Sequence, residues 1–341
     1  MYDKLMRHTA VISTVFAIAA MTVMLYAAIN KPIVIEETPG SISQQTDAQL
    51  STSTMAKELP IDQGSSQEIY LCIPLAGTTT DDKLSVEADY VEQQLSITIR
   101  EQDKEFYSKN RIAGNAKVID KILWNYKEGT TQLLLQLNGV YEHNAFCKNN
   151  MLYLEFKKPR ESYEKIIVVD AGNNNVDITS DIVKRVRSKL TQADTKVYCT
   201  GIDRTRPSSE KCVALANQVK ADMLISVQVY DEEDSEKNGI WAVYNPTFFI
   251  PDLDSISLSD IMERDICKRT GTDAKGLLEF GEQDTIVRDA MVPATVIQVG
   301  NISNKADRSR LEDDAYLEQI ADGICLGIRD AYTYREKGSS N

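Results

Sequence analysis

The stretch IIVVDAGNNN, Ile166–Asn175, opens the longest regular pattern in this chain. Its first five residues predict a short buried strand that ends at Asp170, and the small and polar residues after it predict a turn. Apolar strands and amphipathic helices then alternate as far as about residue 334. Such alternation predicts an α/β open mixed sheet with helices on both faces, in which any site lies at the carboxyl ends of the strands.

The elements after Asp170 can be assigned from their periodicity. The predicted helices are ITSDIVKRVRSKL, SSEKCVALANQVK, LSDIMERDICKRTG and a closing helix from about residue 307 to residue 334. The predicted strands are KVYCT, DMLISVQVY, WAVYN, GLLEF and PATVIQVG. The strand ends at which a site is expected are residues 170–175, 200–206, 228–233 and 298–304.

A different pattern precedes this region. Residues 67–160 contain short runs in which apolar and polar residues alternate, such as SVEADYV, QLSITIR and TQLLLQL, separated by turn clusters. Alternation with a period of two residues is typical of strands with one buried face. The pattern predicts an all-β sandwich domain of about ninety residues.

The N-terminal sequence predicts an anchor and a spacer. Residues 9–29 carry no charge, and their number is close to the roughly 20 residues that span a bilayer. Basic residues precede them, so we expect a cytoplasmic tail at 1–8, a transmembrane signal anchor at 9–30 and a single-pass location in the cell membrane, with the bulk of the chain extracytoplasmic. A cleaved signal peptide is the alternative. Residues 31–66, rich in Ser, Thr, Gln and Pro, predict a flexible linker.

Charge and cysteine content restrict the possible partners. The net charge of −13 would repel a phosphate backbone, so no nucleic acid is expected as a partner. The six cysteines show no C-x-x-C spacing, which argues against a zinc knuckle or a thioredoxin-like site. In an exported chain some of them could form disulfides. Cys199 and Cys325 lie in apolar patterns and are expected to be small buried residues.

Several stretches of the α/β region match a known family in order and spacing. They are Ala216-Asn217, Ala221-Asp222, the strand LISVQ and the segment PATVIQVGNISNKADRSRL at residues 293–311. Residues 165–335 resemble the zinc-dependent N-acetylmuramoyl-L-alanine amidases, which cut the amide between glycan and peptide in peptidoglycan. By strand pattern and position, residues 67–160 resemble the AMIN domain, which precedes the catalytic domain in many of these amidases and is associated with envelope targeting.

The resemblance implies a metal site, but its key positions are occupied by amides. The positions of the first His ligand, the Glu ligand, the second His ligand and the general base fall on Asn173, near Asn175, on Gln228 and on Gln298. A carboxamide offers zinc only a weak oxygen donor, and it cannot take a proton from water at neutral pH. The two histidines of the chain, His8 and His143, lie outside the α/β region. No cofactor is therefore expected, and zinc only if the chain is an active amidase.

Three interpretations of these polar strand ends remain open. A carboxylate site for Mg²⁺ or Ca²⁺ could use Asp170, Asp177, Asp181 and Asp203. A pocket for sugar hydroxyls and peptide bonds could be lined by Asp170, Asn173, Asn174, Asn175, Gln228, Gln298, Asn301 and Asn304. A site released from catalysis could also simply have filled with neutral polar residues.

Together these features lead to one functional hypothesis and two alternatives. The chain is expected to be a membrane-anchored, amidase-like protein of the bacterial envelope that is catalytically inactive and acts as a peptidoglycan-binding or regulatory module. Its expected partner is peptidoglycan, a muropeptide or another envelope protein. The first alternative is an active peptidoglycan amidase with a non-standard metal site. The second is a structural scaffold in an envelope protein assembly.

Overall fold

The computed structural model describes residues 57–63, 70–100, 103–172, 176–190, 194–202, 206–232, 234–247 and 250–338. Two compact units are present, and neither is one continuous stretch of chain. Unit 1 contains the residues up to Ala88, Leu95–Gln136 and His143–Phe156. Unit 2 contains Asp89–Gln94, Leu137–Glu142 and the chain from Lys157 onward.

Two five-stranded sheets are formed by the N-terminal strands. These strands are β1 Lys57–Leu59, β2 Ile61–Gln63, β3 Tyr70–Pro74, β4 Leu84–Asp89, β5 Gln94–Ile99, β6 Ile112–Gly114, β7 Ile119–Lys127, β8 Thr130–Leu137, β9 Glu142–Lys148 and β10 Met151–Lys157. The sheet orders are β1-β7-β8-β5-β4 and β2-β6-β3-β10-β9. The short helix α1, Phe106–Lys109, lies between β5 and β6 along the chain. In β8 fully buried leucines alternate with half-buried residues, as the period of two in the sequence predicts.

The end of the predicted linker, residues 31–66, forms strands instead of a spacer. Lys57–Leu59 pairs with β7 in antiparallel fashion, and Ile61–Gln63 pairs with β6 in parallel fashion. Strands of three residues are held by their backbone hydrogen bonds and show no apolar period, so the sequence did not indicate them. The rest of the predicted linker, 31–56 and 64–66, lies outside the described residues.

The predicted single-pass location in the cell membrane is corrected. Within the described ranges, no helix combines the length and the apolar character that crossing a bilayer requires. The longest of them, Asp314–Gly338, has 25 residues but carries acidic and basic side chains along its length. The segment at 9–30 and the tail at 1–8, on which the prediction depended, lie outside the described residues.

Unit 2 is built on one six-stranded mixed sheet. Its strands are β11 Lys165–Ala171, β12 Thr195–Thr200, β13 Met223–Tyr230, β14 Ile240–Tyr244, β15 Ala274–Glu279 and β16 Ala294–Asn301, in the order β12-β11-β13-β16-β14-β15. β11, β12, β13 and β16 are parallel, whereas β14 runs antiparallel to β16 and β15 runs parallel to β14. The predicted mixed α/β fold is confirmed for this unit.

Helices cover both faces of this sheet. They are α2 Pro159–Ser162, α3 Val176–Lys189, α4 Ser209–Val219, α5 Ser255–Thr270, α6 Thr285–Asp289, α7 Lys305–Leu311 and α8 Asp314–Gly338. On one face, Ile182 of α3, Met262 of α5 and Ile324 of α8 belong to one buried cluster. On the other face, Ala216 of α4 and Ile286 of α6 belong to a second. The sheet is therefore buried on both faces, which explains why its strands consist largely of consecutive apolar residues.

The closing helix differs from the prediction of one element over residues 307–334. The chain instead forms α7 and α8, which are separated at Glu312 and Asp313. The carboxylate of Asp313 accepts a hydrogen bond from the Ala315 amide at 3.0 Å, as a residue that begins a new helix does. The apolar period continues across this break, so periodicity alone could not locate it.

The cysteines are not joined by disulfides in the structure. Cys325 is buried, and Cys199 packs half-buried against the same core. Burial raises the pKa of the Cys199 thiol to about 12 and that of Cys325 to about 11, so both stay protonated at neutral pH. They behave as small apolar residues, as their positions in the sequence predict.

Candidate functional site

A row of four residues crosses the sheet of unit 2 where its parallel strands end. Gln228 on β13 is the register partner of Gln298 on β16, and Gln298 is the register partner of Trp241 on β14. On the other side of Gln228, the amide of Gly172 donates to the Val227 carbonyl at 2.8 Å. Register partners on neighbouring strands present their side chains on the same face of a sheet. We call Gly172, Gln228, Gln298 and Trp241 the strand-end row.

Gly172 is required by the close approach of Gln228. A Cβ atom at position 172 would lie 2.3 Å from Gln228 Cγ and 2.9 Å from the Val227 carbonyl oxygen. Any other residue would therefore displace the Gln228 side chain or the neighbouring strand. The glycine lets a carboxamide lie directly over the end of β11.

Gln298 carries an unpaired polar atom. Its side chain is half-buried, and its Oε1 atom is buried without a hydrogen-bond partner among the described residues. An unsatisfied buried acceptor costs about 1–3 kcal/mol, and native proteins contain few of them. The terminal amide torsion of glutamine is soft, so a small rotation can turn this oxygen toward a ligand.

Lys237 lies at the Trp241 end of the strand-end row. The ammonium nitrogen of Lys237 lies 5.3 Å from the centroid of the Trp241 ring and 5.6 Å from that of Tyr230. It also forms an ion pair with Glu232. The aromatic faces and the carboxylate together hold this cation in place.

An arginine occupies the opposite end of the strand-end row. Arg206 follows β12, and its Nη1 donates to the carbonyl of Gly172, while its Nη2 donates to Thr179 Oγ1 at 3.2 Å. Its Nε atom is buried and has no partner in the described part of the chain. Burial lowers the pKa of this guanidinium, although the charges of Asp170 and Asp177 oppose the shift. Arginine remains a cation at neutral pH even so.

Asp170 lies beneath the strand-end row, and its carboxylate is occupied by hydrogen bonds within the protein. Its carboxylate accepts hydrogen bonds from Thr200 Oγ1 at 2.6 Å, from Ser226 Oγ at 2.8 Å and from Cys212 Sγ at 3.3 Å. The side chain is buried. It therefore holds the ends of β11, β12 and β13 together and is not oriented to bind a ligand.

Asn301 and Asn304 are used to hold the loop that follows β13. The amide nitrogen of Asn301 donates to the Lys237 carbonyl at 2.8 Å, and that of Asn304 to the Ser235 carbonyl at 2.7 Å. Asn304 also caps α7 by accepting from the amides of Ala306 and Asp307 at 3.0 Å. Of the predicted pocket residues, the structure thus brings Gln228 and Gln298 together above Asp170, whereas these two asparagines support the rim.

Four further predicted site residues cannot be placed. Asn173, Asn174, Asn175 and Asp203 lie outside the described residues. The remaining two aspartates of the possible Mg²⁺ or Ca²⁺ site belong to α3. Asp181 pairs with Arg185 at 2.9 Å, and Asp177 is exposed in the first turn of the helix.

The described residues do not fit the zinc ion that the amidase resemblance implies. Gln228 and Gln298, which the resemblance predicts to fall at the positions of a His ligand and the general base, are both neutral amides. Over the residues that the structure describes, no group of three or more His, Cys, Asp or Glu side chains is placed to share a metal ion.

Two residues of the site were not singled out from the sequence. Arg206 ends the 200–206 loop, where chemistry was expected, but nothing in its neighbours shows that it reaches across to Gly172. Trp241 could not be placed because β14 enters the sheet in the antiparallel direction between β16 and β15. Alternating strands and helices give no signal for such an insertion.

Replacing Gln298 with methionine is expected to raise the free energy of unfolding by about 1 kcal/mol. The variant keeps the side-chain volume and removes the unsatisfied Oε1 acceptor. Urea unfolding of the full chain measures the difference. Gln319→Met on the exposed side of α8 is the matched control and should change stability by less than about 0.5 kcal/mol. A loss of stability in Gln298→Met would show that the oxygen is paired in solution.

Comparison with known proteins finds a similarity that lies in unit 2. The family model for N-acetylmuramoyl-L-alanine amidase matches residues 166–330. The amidase CwlM of Mycobacterium tuberculosis is 23% identical over 189 residues, which cover 49% of this chain and 45% of CwlM. The amidase LytC of Bacillus subtilis is 22% identical over 156 residues, which cover 46% of this chain and 31% of LytC. The chain therefore spans less than half the length of these curated relatives.

A solved structure is similar to part of this chain. The catalytic domain of the amidase CwlV from Bacillus (Paenibacillus) polymyxa var. colistinus is similar to this chain with a TM-score of 0.44 and 23% identity. The match covers 50% of this chain and 98% of that domain. Residues 166–330 of this chain are thus similar to the N-acetylmuramoyl-L-alanine amidases.

Proposed function

We propose that this chain binds fragments of peptidoglycan at the strand-end row and does not hydrolyse them. The observation that supports this proposal is the pair Gln228 and Gln298, which are register partners at the positions of a metal ligand and a general base. Amide hydrolysis by the family requires a base that takes a proton from the attacking water, and a glutamine has none to offer. The same two side chains offer both donors and acceptors of hydrogen bonds.

The chemistry of the row suits such a ligand. Peptidoglycan presents sugar hydroxyls and peptide bonds, and carboxamides can pair with either group. The family acts on peptidoglycan, so the ligand of a member that has lost the base is expected to come from the same material. Asn173, Asn174 and Asn175 follow Gly172 in the sequence and are proposed to complete the lining. Asp170, Asn301 and Asn304 would support this lining without touching the ligand.

The presence of two N-terminal sheets supports separate roles for the two parts of the chain. We propose that residues 67–160 form an AMIN-like module that places the chain in the envelope, and that residues 165–335 form the amidase-like module. In this arrangement the chain would act as a binding or regulatory component of cell-wall metabolism. The alternative partner is another envelope protein.

Co-sedimentation with purified peptidoglycan tests the proposal. The full chain, prepared without chelators and then offered zinc, is expected to sediment with the polymer and to hold less than stoichiometric zinc by elemental analysis. Chain that stays in the supernatant would refute binding. One zinc ion per chain would refute the assignment of the row as a metal-free site.

A further inference from the structure

The dipeptide Asn-Gly occurs twice in the chain, at Asn138-Gly139 and at Asn238-Gly239. In such a pair the backbone nitrogen of the glycine can attack the side-chain carbonyl carbon of the asparagine, because glycine has no Cβ atom that blocks the approach. The attack closes a succinimide ring and releases ammonia. Both pairs lie among the described residues of unit 2, and their surroundings decide whether the ring can close.

At Asn238-Gly239 both reacting groups are held by other bonds. The Gly239 amide is buried and donates to Asp307 Oδ2 at 2.8 Å, and the Asn238 amide nitrogen donates to the Glu236 carbonyl at 2.8 Å. Before the Gly239 nitrogen could attack, it would have to leave a buried hydrogen bond to a carboxylate, which is among the stronger kinds. The fold therefore protects this pair.

At Asn138-Gly139 the attacking nitrogen is not held in this way. Asn138 directly follows β8 and is exposed to solvent. The Gly139 amide makes no hydrogen bond to any other described residue. A Cβ atom at position 139 would lie 3.5 Å from Tyr141 Cε2, which is an ordinary contact distance, so the fold itself does not require a glycine here.

A neighbouring tyrosine activates the side-chain carbonyl of Asn138. The Tyr141 hydroxyl donates to Asn138 Oδ1 at 3.0 Å. This oxygen gains negative charge when the Gly139 nitrogen attacks, so a donor that is already in place stabilises the tetrahedral intermediate. The Lys158 ammonium lies 4.6 Å from the centroid of the Tyr141 ring and helps to hold that ring.

We propose that Asn138 is a self-modification site, at which the folded chain converts asparagine to aspartate and isoaspartate. The Gly139 nitrogen forms a bond to Asn138 Cγ, and the bond from Cγ to Nδ2 breaks. Nδ2 leaves as ammonia with the proton that the Gly139 nitrogen gives up. Water then opens the succinimide at either of its carbonyls. The net reaction consumes water and releases ammonia, and it is independent of ligand binding at the strand-end row.

The conversion changes a segment that contributes to the core of unit 2. It adds a negative charge at position 138, and isoaspartate also adds a methylene group to the main chain. Val140, Tyr141 and Glu142 follow and are buried. The Glu142 carboxylate accepts from Lys196 Nζ at 3.0 Å. The modified chain therefore differs from the original in the segment that supplies the counter-ion of Lys196.

Peptide mapping of the full chain by mass spectrometry tests this inference. The native chain and the chain unfolded in guanidinium chloride are incubated in parallel, and conversion of both asparagines is followed. Native Asn138 is expected to convert at least about tenfold faster than native Asn238, because the second site must first give up a charge-assisted hydrogen bond. In the unfolded chain the two rates should be similar, and native Asn138 should yield both aspartate and isoaspartate.

Three results would overturn the inference. The first is equal conversion of the two asparagines in the native chain. The second is an Asn138 that stays an amide in the native chain while the unfolded chain converts. The third is a difference between the two sites that persists in the unfolded chain, since the sequence neighbours and not the fold would then be its cause.

Two substitutions identify the groups that act. Gly139→Ala adds a Cβ atom for which there is room, and it should largely suppress conversion of Asn138 because the methyl group hinders the attacking nitrogen. Tyr141→Phe keeps the ring and should slow conversion about fivefold, the effect of one hydrogen bond. Asn238 is the internal control, because slow conversion there shows that the variant is folded. Undiminished conversion of Asn138 in either variant would refute the role assigned to that residue.

Discussion

Replacing Asp222 with alanine is expected to lower the free energy of unfolding of unit 2 by about 3 kcal/mol. Asp222 is buried directly before β13, at the end of the sheet opposite to the strand-end row. Its carboxylate accepts hydrogen bonds from Ile166 N at 2.8 Å, Arg160 Nη2 at 2.7 Å, Arg335 Nη1 at 2.8 Å and Tyr332 Oη at 2.9 Å. Removing it takes this acceptor from the Ile166 amide and the Tyr332 hydroxyl, whereas Arg160 keeps its bonds to the Glu164 and Lys220 carbonyls. Because both arginines remain partly exposed to water, the expected loss lies at the lower end for a buried ion pair.

The effect of Asp222 should depend on pH. Burial alone would raise the pKa of its carboxyl, but the hydrogen bonds from Arg160, the Ile166 amide, Arg335 and Tyr332 outweigh burial and lower the pKa below 3.8. A carboxyl with a lowered pKa in the folded state contributes stability above its unfolded pKa and loses it as the pH falls through the folded value. The difference between the native chain and Asp222→Ala should therefore be constant near neutral pH and shrink below about pH 4.

Urea unfolding followed by Trp241 emission, in the Trp124→Phe background, measures this difference for unit 2. Asp260→Ala is the control, since Asp260 pairs with Arg264 on the surface with both side chains more than half exposed. Its loss should stay below about 0.5 kcal/mol. An Asp222→Ala variant as stable as this control would show that the carboxylate network does not hold the sheet.

Replacing Glu142 with alanine is expected to destabilise unit 2 by a similar amount, about 3 kcal/mol. The Glu142 carboxylate accepts from Lys196 Nζ at 3.0 Å, from the Tyr90 hydroxyl at 3.2 Å and from the Tyr198 hydroxyl. The side chains of Lys196 and Glu142 are only 15% and 11% exposed, so the alanine would leave a buried ammonium without its counter-ion. The faces of Tyr90 and Tyr198, with centroids 4.8 and 5.4 Å from that ammonium, would compensate only in part.

A double-mutant cycle separates this charge effect from lost packing. Adding Lys196→Met to Glu142→Ala removes the buried ammonium that has lost the Glu142 carboxylate, so the double variant should be at least about 1 kcal/mol more stable than Glu142→Ala alone. Glu92→Ala is the matched control, because the pair of Glu92 with Lys211 is 43% and 51% exposed and should contribute little. Strictly additive losses in the cycle would contradict the assignment of Glu142 as the counter-ion of Lys196.

The sequence predicted the elements of unit 2 well because its apolar runs are long and buried on both faces. IIVVD became β11 and DMLISVQVY became β13, each within a few residues. The direction and exact bounds of an element were harder to predict than whether it is a helix or a strand. The antiparallel direction of β14, the break between α7 and α8 and the short strands β1 and β2 depend on backbone pairing and on one capping aspartate. None of these leaves an apolar period in the sequence.

The residues of the site could be predicted only where the resemblance to the amidases aligned this sequence with positions of that family. That pattern indicated Gln228 and Gln298, which are neighbours in the sheet. It did not indicate that Asn301 and Asn304 are already bonded to the loop after β13, because an amide looks the same in sequence whether it faces a ligand or a backbone carbonyl. Arg206 was missed because its bond to the Gly172 carbonyl, 34 residues earlier in the chain, is visible only in a folded structure.

The mass of a muropeptide recovered from the full chain tests binding without hydrolysis most directly. The chain is incubated with N-acetylmuramoyl-L-alanyl-D-glutamic acid and zinc and is then separated from free ligand. The bound material is released, and its mass is determined by mass spectrometry. We predict that the ligand is retained and recovered with an unchanged mass. Recovery of N-acetylmuramic acid and a dipeptide with a free amino terminus, whose masses sum to the ligand plus one water, would contradict the proposal.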